Sequence, residues 1–380
     1  MNKFIVNKMN NPFVVYGYQS SEYFCDRKTE LDKILSSLDN GRNITLLSLR
    51  RIGKTGLIKH VFDHLKQRKT ARLVYMDIMP TSNLNDFVKE FSKAIMLEEK
   101  SRSAKYLQKI KNLVLGLRGK ITFDQITGIP GFEIDFRPPE ESVKDLAYVF
   151  QYLASQNADY IIAVDEFQQI TFYPEKNTEA LLRAYSQQYS DKLRFIFSGS
   201  NQTLLSSMFN YYGKPFYQSS DLMYLDTIDK KKYAEFIQQH FATAKREINY
   251  EIIDYVLDEL ECFTFYVQYY FNKLFGTGVK KIDKTLANKV LIDILNERES
   301  FYYNYKNIFS ANQFKLLIAI AKEGKVNQPN AVNFIRTYNL GPASSLNRSL
   351  QSLLVKEMIY KKDNYYCIYD LFFKKWLARL

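Results

Sequence analysis

Three short clusters in this 380-residue chain carry residue types that handle phosphate, metal and water. The first reads S-L-R-R-I-G-K-T, from Ser48 to Thr55. It follows the phosphate-loop pattern G-x-x-x-x-G-K-[ST] except at its opening position. Gly53 lets backbone N–H groups turn toward an anion with no Cβ in the way. Lys54 offers a cation to β and γ phosphoryl oxygens, and Thr55 offers a hydroxyl to Mg²⁺. A helix starting at Lys54 would point its positive end at the same spot. The second cluster is "YIIAVDEF", a strand-like run ending in Asp165-Glu166. There Asp165 can hold Mg²⁺ through water, and Glu166 can orient or deprotonate an attacking water. Such a pair also serves as a helix cap. Beside G-K-T, however, two adjacent carboxylates favour hydrolysis over binding alone. The third is "FIFSGSNQTLLSSMF", which places Ser198, Gly199, Ser200 and Asn201 at another strand end. Ser198 or Ser200 there can reach a γ-phosphate or the lytic water, although Gly199 by itself explains the motif as a turn.

Ser48 raises a question of cost. If its position needs a left-handed backbone, a non-glycine residue loses about 1–2 kcal/mol. Micromolar nucleotide binding is worth roughly 8 kcal/mol. The substitution then weakens affinity about fivefold to thirtyfold without abolishing it.

The elements around these clusters predict a parallel α/β sheet. "NITLLSL" is a β-rich run ending at the loop, and "KTGLIKHVFDHLKQR" carries apolar residues at helical spacing. Further strands are expected at Arg72 to Met79, Tyr160 to Val164, Leu193 to Gly199 and Leu222 to Leu225, with a helix from about Asn83 to Ile95. Continuous apolar strands separated by helices predict a parallel sheet covered on both faces. Ile121 to Phe136, with "TGIPG" at its middle, reads as an inserted hairpin, and the whole insertion spans about residues 100–137. After Leu225 the strand signal stops and four helical patterns follow, to about Ser300. The last eighty residues show three helices, stopped by Gly324 and Gly341 and restarted at Pro342, then a hairpin turning at Lys362-Asp363-Asn364. That plan is a winged helix-turn-helix, giving domains at 1–225, 226–300 and 301–380. Its third helix points Leu346, Leu350 and Leu353 inward, so Ser344, Arg348 and Gln351 share the outer face.

Charge narrows the partners. The net charge is +12 and the pI about 9.2, which suits an anionic partner. Twelve Lys/Arg oppose four Asp/Glu from Phe301 to Leu380, and seven basic residues with no acid run from Lys100 to Lys120. The second run reads as a solvated face. Three cysteines, Cys25, Cys262 and Cys367, are odd in number and far apart, which fits a reducing cytosol and no disulfide framework. His60 and His64 read as one helix face. No apolar run approaches a membrane span, and the N-terminus shows no signal peptide.

"EYFCDRKTEL", "SLRRIGKTGLI", "IIAVDEFQ" and "FSGSNQTLLSSM" occur in that order, with "YDLFFKKWL" near the end. Together they resemble the archaeal-type P-loop ATPase family, related to the STAND branch of AAA+ proteins, in versions common in Bacteroidetes. The resemblance implies an AAA+ type P-loop NTPase core, an all-α lid and a C-terminal winged helix-turn-helix, with ATP and Mg²⁺ as ligands. It implies Arg27 near the adenine end, with an Arg27–Glu30 surface ion pair as the alternative. It places Arg50, Arg51, Ile52, Gly53, Lys54, Thr55 and Gly56 at the nucleotide, Thr55 and Asp165 at the metal, and Lys54, Thr55, Asp165, Glu166 and Ser198 at the chemistry. Two departures stand out. Tyr217-Gln218-Ser219 stands where tyrosine-glycine-arginine is common, and "CFTFYVQYY" replaces a lid box that often holds glycine and proline. An arginine finger raises rates by roughly 10³–10⁵, so slow basal turnover is expected unless a partner supplies one. The resulting expectation is a slow ATPase switch whose winged helix engages DNA or a protein. The alternative is a nucleic-acid-binding protein with a secondary or inactive nucleotide site, using Ser344, Arg348, Gln351, Lys361 and Lys362.

Overall fold

The computed structural model describes residues 11–102, 113, 115–117, 120–123, 130–133 and 139–380. It separates into two units, Tyr16–Asp226 and the remainder. The first unit holds β1 (Ile44–Leu47), β2 (Ala71–Asp77), β3 (Lys120–Phe123), β4 (Pro130–Glu133), β5 (Asp159–Asp165), β6 (Leu193–Gly199) and β7 (Asp221–Tyr224). Its helices are α1 (Lys28–Asp39), α2 (Lys54–Arg68), α3 (Leu84–Arg102), α4 (Pro139–Ser155), α5 (Thr178–Gln188) and α6 (Gln202–Asn210).

Five strands form one sheet in the order β2-β5-β6-β1-β7, with every pairing parallel. All of β1 is buried, as is β5 after its first residue, so side chains on both faces are covered and alternation is absent. Phe87, Phe91, Phe150, Phe195 and Phe197 belong to the main core of this unit. The order matters more than the strand count. Chain-consecutive β1 and β2 are separated by β5 and β6, so the loop after β1 emerges beside the carboxyl ends of two strands from later in the sequence. Parallel α/β sheets gather ligands at such ends.

The hairpin expected at Ile121 to Phe136 is present as the antiparallel β3–β4 pair. Its turn, and most of the basic stretch from Lys100 to Lys120, lie outside the described residues.

The second unit contains α7 (Lys230–Thr243), α8 (Tyr250–Glu259), α9 (Thr264–Gly276), α10 (Lys284–Glu297) and α11 (Glu299–Ile308). The strand signal does not stop at Leu225. A parallel pair, β8 (Glu247–Ile248) and β9 (Lys281–Ile282), joins the helices. Two-residue strands are too short to show a period. Residues 11–15, counted with the core on sequence grounds, group with this unit. There Phe13 is fully buried and its ring meets Phe236, Phe241, Phe271 and Phe275.

A winged helix closes the chain: α12 (Ala311–Glu323), α13 (Val332–Tyr338), α14 (Ala343–Val355), β10 (Ile359–Lys362), β11 (Tyr365–Ile368) and α15 (Leu371–Leu377). Ser310 and Gln313 form a capping box at the start of α12. Gly324 stops α12, whereas α13 stops at left-handed Asn339, two residues before Gly341. The wing turns at Asp363-Asn364, both with positive φ as a two-residue hairpin turn demands. Asp370 caps α15 through the Phe373 N–H, and Trp376 is buried behind it. Among the described residues no helix is long and apolar enough to cross a membrane.

Candidate functional site

The loop from Ser48 to Gly53 joins β1 to α2, so the fifteen-residue α2 begins at Lys54 with its N-terminus on the loop. Gly53 has φ 101°, the conformation that favours glycine. Arg51 is the other left-handed residue of the loop, at φ 68°. Ser48 is not left-handed, so the conditional strain weighed from sequence is not incurred. Instead its hydroxyl accepts a hydrogen bond from Lys54 Nζ at 2.9 Å and donates to Leu49 O at 2.8 Å. Lys54 Nζ also donates to the carbonyls of Leu49 and Ser48, at 3.2 and 3.4 Å. Burial pulls the Lys54 ammonium below its ordinary pKa, and the charges of Glu166 and Asp165 oppose that shift. The acidic pair therefore lies within electrostatic reach of Lys54.

Asp165 is 3 % exposed and its carboxylate takes four donors. Thr55 Oγ1 donates to Oδ2 at 2.6 Å and Tyr75 O–H to the same oxygen at 3.1 Å. Ser198 Oγ donates to Oδ1 at 2.5 Å, and the Glu166 backbone N–H at 3.1 Å. The donors come from α2, β2, β6 and the end of β5, which is the convergence that the strand order produces. A buried carboxylate survives only with such partners.

Glu166 sits at φ 56°, left-handed for a non-glycine residue. Its Oε2 accepts from Gln168 Nε2 at 2.5 Å, Ser200 Oγ at 2.7 Å and Ser200 N–H at 3.2 Å. Arg50 Nε donates to Ser200 Oγ at 3.3 Å, tying the phosphate loop to the same group. Gly199 leaves room for the Gln168 carboxamide: a Cβ there would lie 1.9 Å from Gln168 Oε1 and the glutamine end would have to move. Ser198 and Ser200 thus divide the two carboxylates between them, one each.

Arg27 is buried. It pairs with Glu30 at 2.7 Å and also donates to Asp226 O at 2.6 Å and Ile52 O at 3.4 Å. It reaches the phosphate loop through the Ile52 carbonyl, and its ion pair with Glu30 is present but buried on the arginine side rather than lying at the surface. Ile52 is buried, Arg51 is exposed, and Gly56 lies against the Phe24 ring.

Sequence reasoning missed Tyr75, Gln168 and Lys59. Lys59 Nζ lies 3.3 Å from the Tyr75 ring centroid, and burial lowers its pKa to about 8. A tyrosine inside an apolar strand, two residues before its carboxyl end, was the available signal for Tyr75. The hard oxygens of Thr55 and Asp165, already within hydrogen-bond distance of each other, are the donor chemistry that Mg²⁺ selects, so these residues fit that ion.

The winged-helix candidates form a separate set. Ser344, Arg348 and Gln351 are exposed on α14 while Leu346, Leu350 and Leu353 are buried, and Lys361 and Lys362 are exposed on β10. A groove of about 510 Å³ lies between α14 and the wing, lined by Asn330, Asn347, Lys361, Asn364 and Tyr366 among others.

A family described as ATPase domains predominantly from Archaea matches residues 24–262, and a family described as a probable winged helix domain matches residues 300–379. Among solved structures, a Walker-type ATPase of Pyrococcus abyssi aligns over 97 % of this chain and 100 % of its own, with 20 % identity and a TM-score of 0.65. The Aeropyrum pernix ORC2 protein, solved in complexes with ADPNP and ADP, aligns over 98 % and 96 % with 14 % identity and a TM-score of 0.61. These likenesses show the fold. No curated protein sequence gives a significant match. A phosphate loop and an acidic strand end joined in one parallel sheet, within a family match over residues 24–262, make this chain a member of the archaeal-type P-loop ATPase family.

Proposed function

We propose that the chain is a Mg²⁺-dependent ATPase switch that binds ATP, hydrolyses it slowly and couples nucleotide state to engagement of duplex DNA or a protein by its winged helix. The observation that carries the reading is the 2.6 Å hydrogen bond from Thr55 to Asp165, which makes the phosphate loop and the acidic pair one cluster. In this reading Lys54, the loop N–H groups and the start of α2 hold the β and γ phosphoryl groups. Thr55 and Asp165 hold Mg²⁺, which supplies charge neutralisation at the transferred phosphoryl group. Glu166 orients the attacking water and accepts its proton. Turnover is slow because Glu166 Oε2 already serves three donors, and because Gln218-Ser219 supplies no arginine. The test is ATP binding by Lys54→Ala, where unchanged affinity would sink the reading.

A second reading, a nucleic-acid-binding protein with an inactive nucleotide site, draws support from the exposed basic and carboxamide groups around α14 and the wing. Carboxamides pair with base edges, and lysines with phosphates. ATPase rates with and without duplex DNA separate the two. Absence of duplex binding at about 50 mM salt would remove the second.

A further inference from the structure

We propose that Tyr75 is a positioning residue for the metal-binding carboxylate of Asp165, and that Lys59 holds Tyr75 in that role. The inference rests on the ATP and Mg²⁺ reading above and deepens it.

Tyr75 lies on β2 beside β5, in register with Ala163, two residues before the strand ends at Asp77. Tyr75 is half-buried and its ring meets Lys59 Nζ, a contact that a phenylalanine ring would keep. The hydroxyl is what remains to be explained. It donates to Asp165 Oδ2 at 3.1 Å, the oxygen that also accepts from Thr55. Thr55 has a second duty, because the oxygen of its hydroxyl is itself a metal donor. The Tyr75 hydroxyl is not assigned to the metal, so it stays available to hold Oδ2 when the threonine oxygen turns to the ion. The opposite oxygen, Oδ1, is already held by Ser198 and the Glu166 N–H. Removing the tyrosine hydroxyl therefore loosens the one edge of the carboxylate that faces Thr55.

Lys59 follows Thr55 by four residues and so shares its face of α2. One helix thus presents a hydroxyl to the carboxylate and an ammonium to the ring that bonds the same carboxylate. A cation 3.3 Å from the ring centroid draws on the π face and makes the phenol a stronger donor.

Groups that orient a metal ligand change metal affinity about 10- to 100-fold when removed. The experiment titrates a fluorescent non-hydrolysable ATP analogue into wild type, Tyr75→Phe, Lys59→Met and Lys54→Ala, in EDTA and across Mg²⁺ concentrations, with melting temperatures recorded in parallel. Tyr75→Phe is expected to keep its EDTA affinity within twofold while its Mg²⁺ midpoint rises about tenfold. Lys59→Met should move the midpoint the same way by about threefold. A Tyr75→Phe midpoint within twofold of wild type overturns the proposal. Parallel loss of EDTA affinity and of melting temperature overturns it too, since a purely structural tyrosine behaves that way. Lys54→Ala separates the layers. If it binds like wild type, the nucleotide reading fails and carries the positioning role with it. If it loses binding while Tyr75→Phe keeps the wild-type midpoint, the positioning role alone fails.

Discussion

The cluster around Asp165 and the outer face of the winged helix use polar residues in opposite ways. At the first, a carboxylate that is 3 % exposed and a lysine that is 7 % exposed are held by named donors and acceptors from five parts of the first unit. In the second, Ser344, Arg348, Gln351, Lys361 and Lys362 are exposed, Arg348 Nε meets Ser344 O at 3.4 Å, and Lys361 Nζ lies 5.6 Å from the Tyr366 ring centroid. Burial makes each polar group expensive to leave unmatched, so in the first cluster each charge is met by partners. Exposure relaxes that demand, so the second face can keep charge that water solvates. The difference teaches what each region is suited for. A preorganised cluster suits chemistry on a small anion, where displaced groups cost rate. Long, solvated basic side chains suit a surface read through phosphates and water, with affinity that depends on salt.

Mutations can break or sharpen that contrast, and the largest effect belongs at Glu166. Glu166→Gln should lower turnover about 10²–10⁴-fold in single-turnover assays, with ATP affinity within threefold, because it removes a base and leaves the pocket intact. Next comes Lys54→Ala, expected to weaken ATP binding about a hundredfold by calorimetry, as a buried charge-assisted set of hydrogen bonds is lost. At the winged helix, Arg348→Ala combined with Lys361→Ala should weaken duplex binding by only about tenfold and flatten its log-log salt slope by about two units. A loss as steep as that of Lys54→Ala would erase the contrast between the regions.

Smaller still is the pH effect at Lys59. Burial lowers its folded pKa to about 8 from the ordinary 10.5, so the folded chain releases this proton before the unfolded chain does. The charged lysine costs stability below about pH 8, and the cost fades as pH rises toward 10.5. Lys59→Met should remove that rise, on the order of 1–2 kcal/mol after screening, seen in denaturant melts from pH 7 to 10.5. The smallest change is expected for Ser48→Gly, with nucleotide affinity within about threefold, since no left-handed strain is relieved. A gain of fivefold or more would restore the strain argument.

Much of the fold was legible because its signals are local. Apolar runs ending at Gly53-Lys54-Thr55 and at Asp165-Glu166 marked strand ends, and leucine spacing marked the buried face of α14. The short β8–β9 pair was not legible, because two residues carry no period. Residues 11–15 gave no sign of their place, which depends on aromatic rings far along the chain.

By itself the sequence determined which groups this protein has for phosphate, metal and water, and the strand-loop-helix unit that carries the first of them. Only the tertiary structure decided how those groups are shared: Ser198 with Asp165, Ser200 with Glu166, Ser48 with Lys54, and Tyr75 with the carboxylate beside Thr55. The reason is the strand order. Residue type and spacing follow from local chain geometry, whereas the neighbours of a buried charge follow from which distant strands lie side by side, and the crossover from β1 to β2 passes over both strands that complete the site.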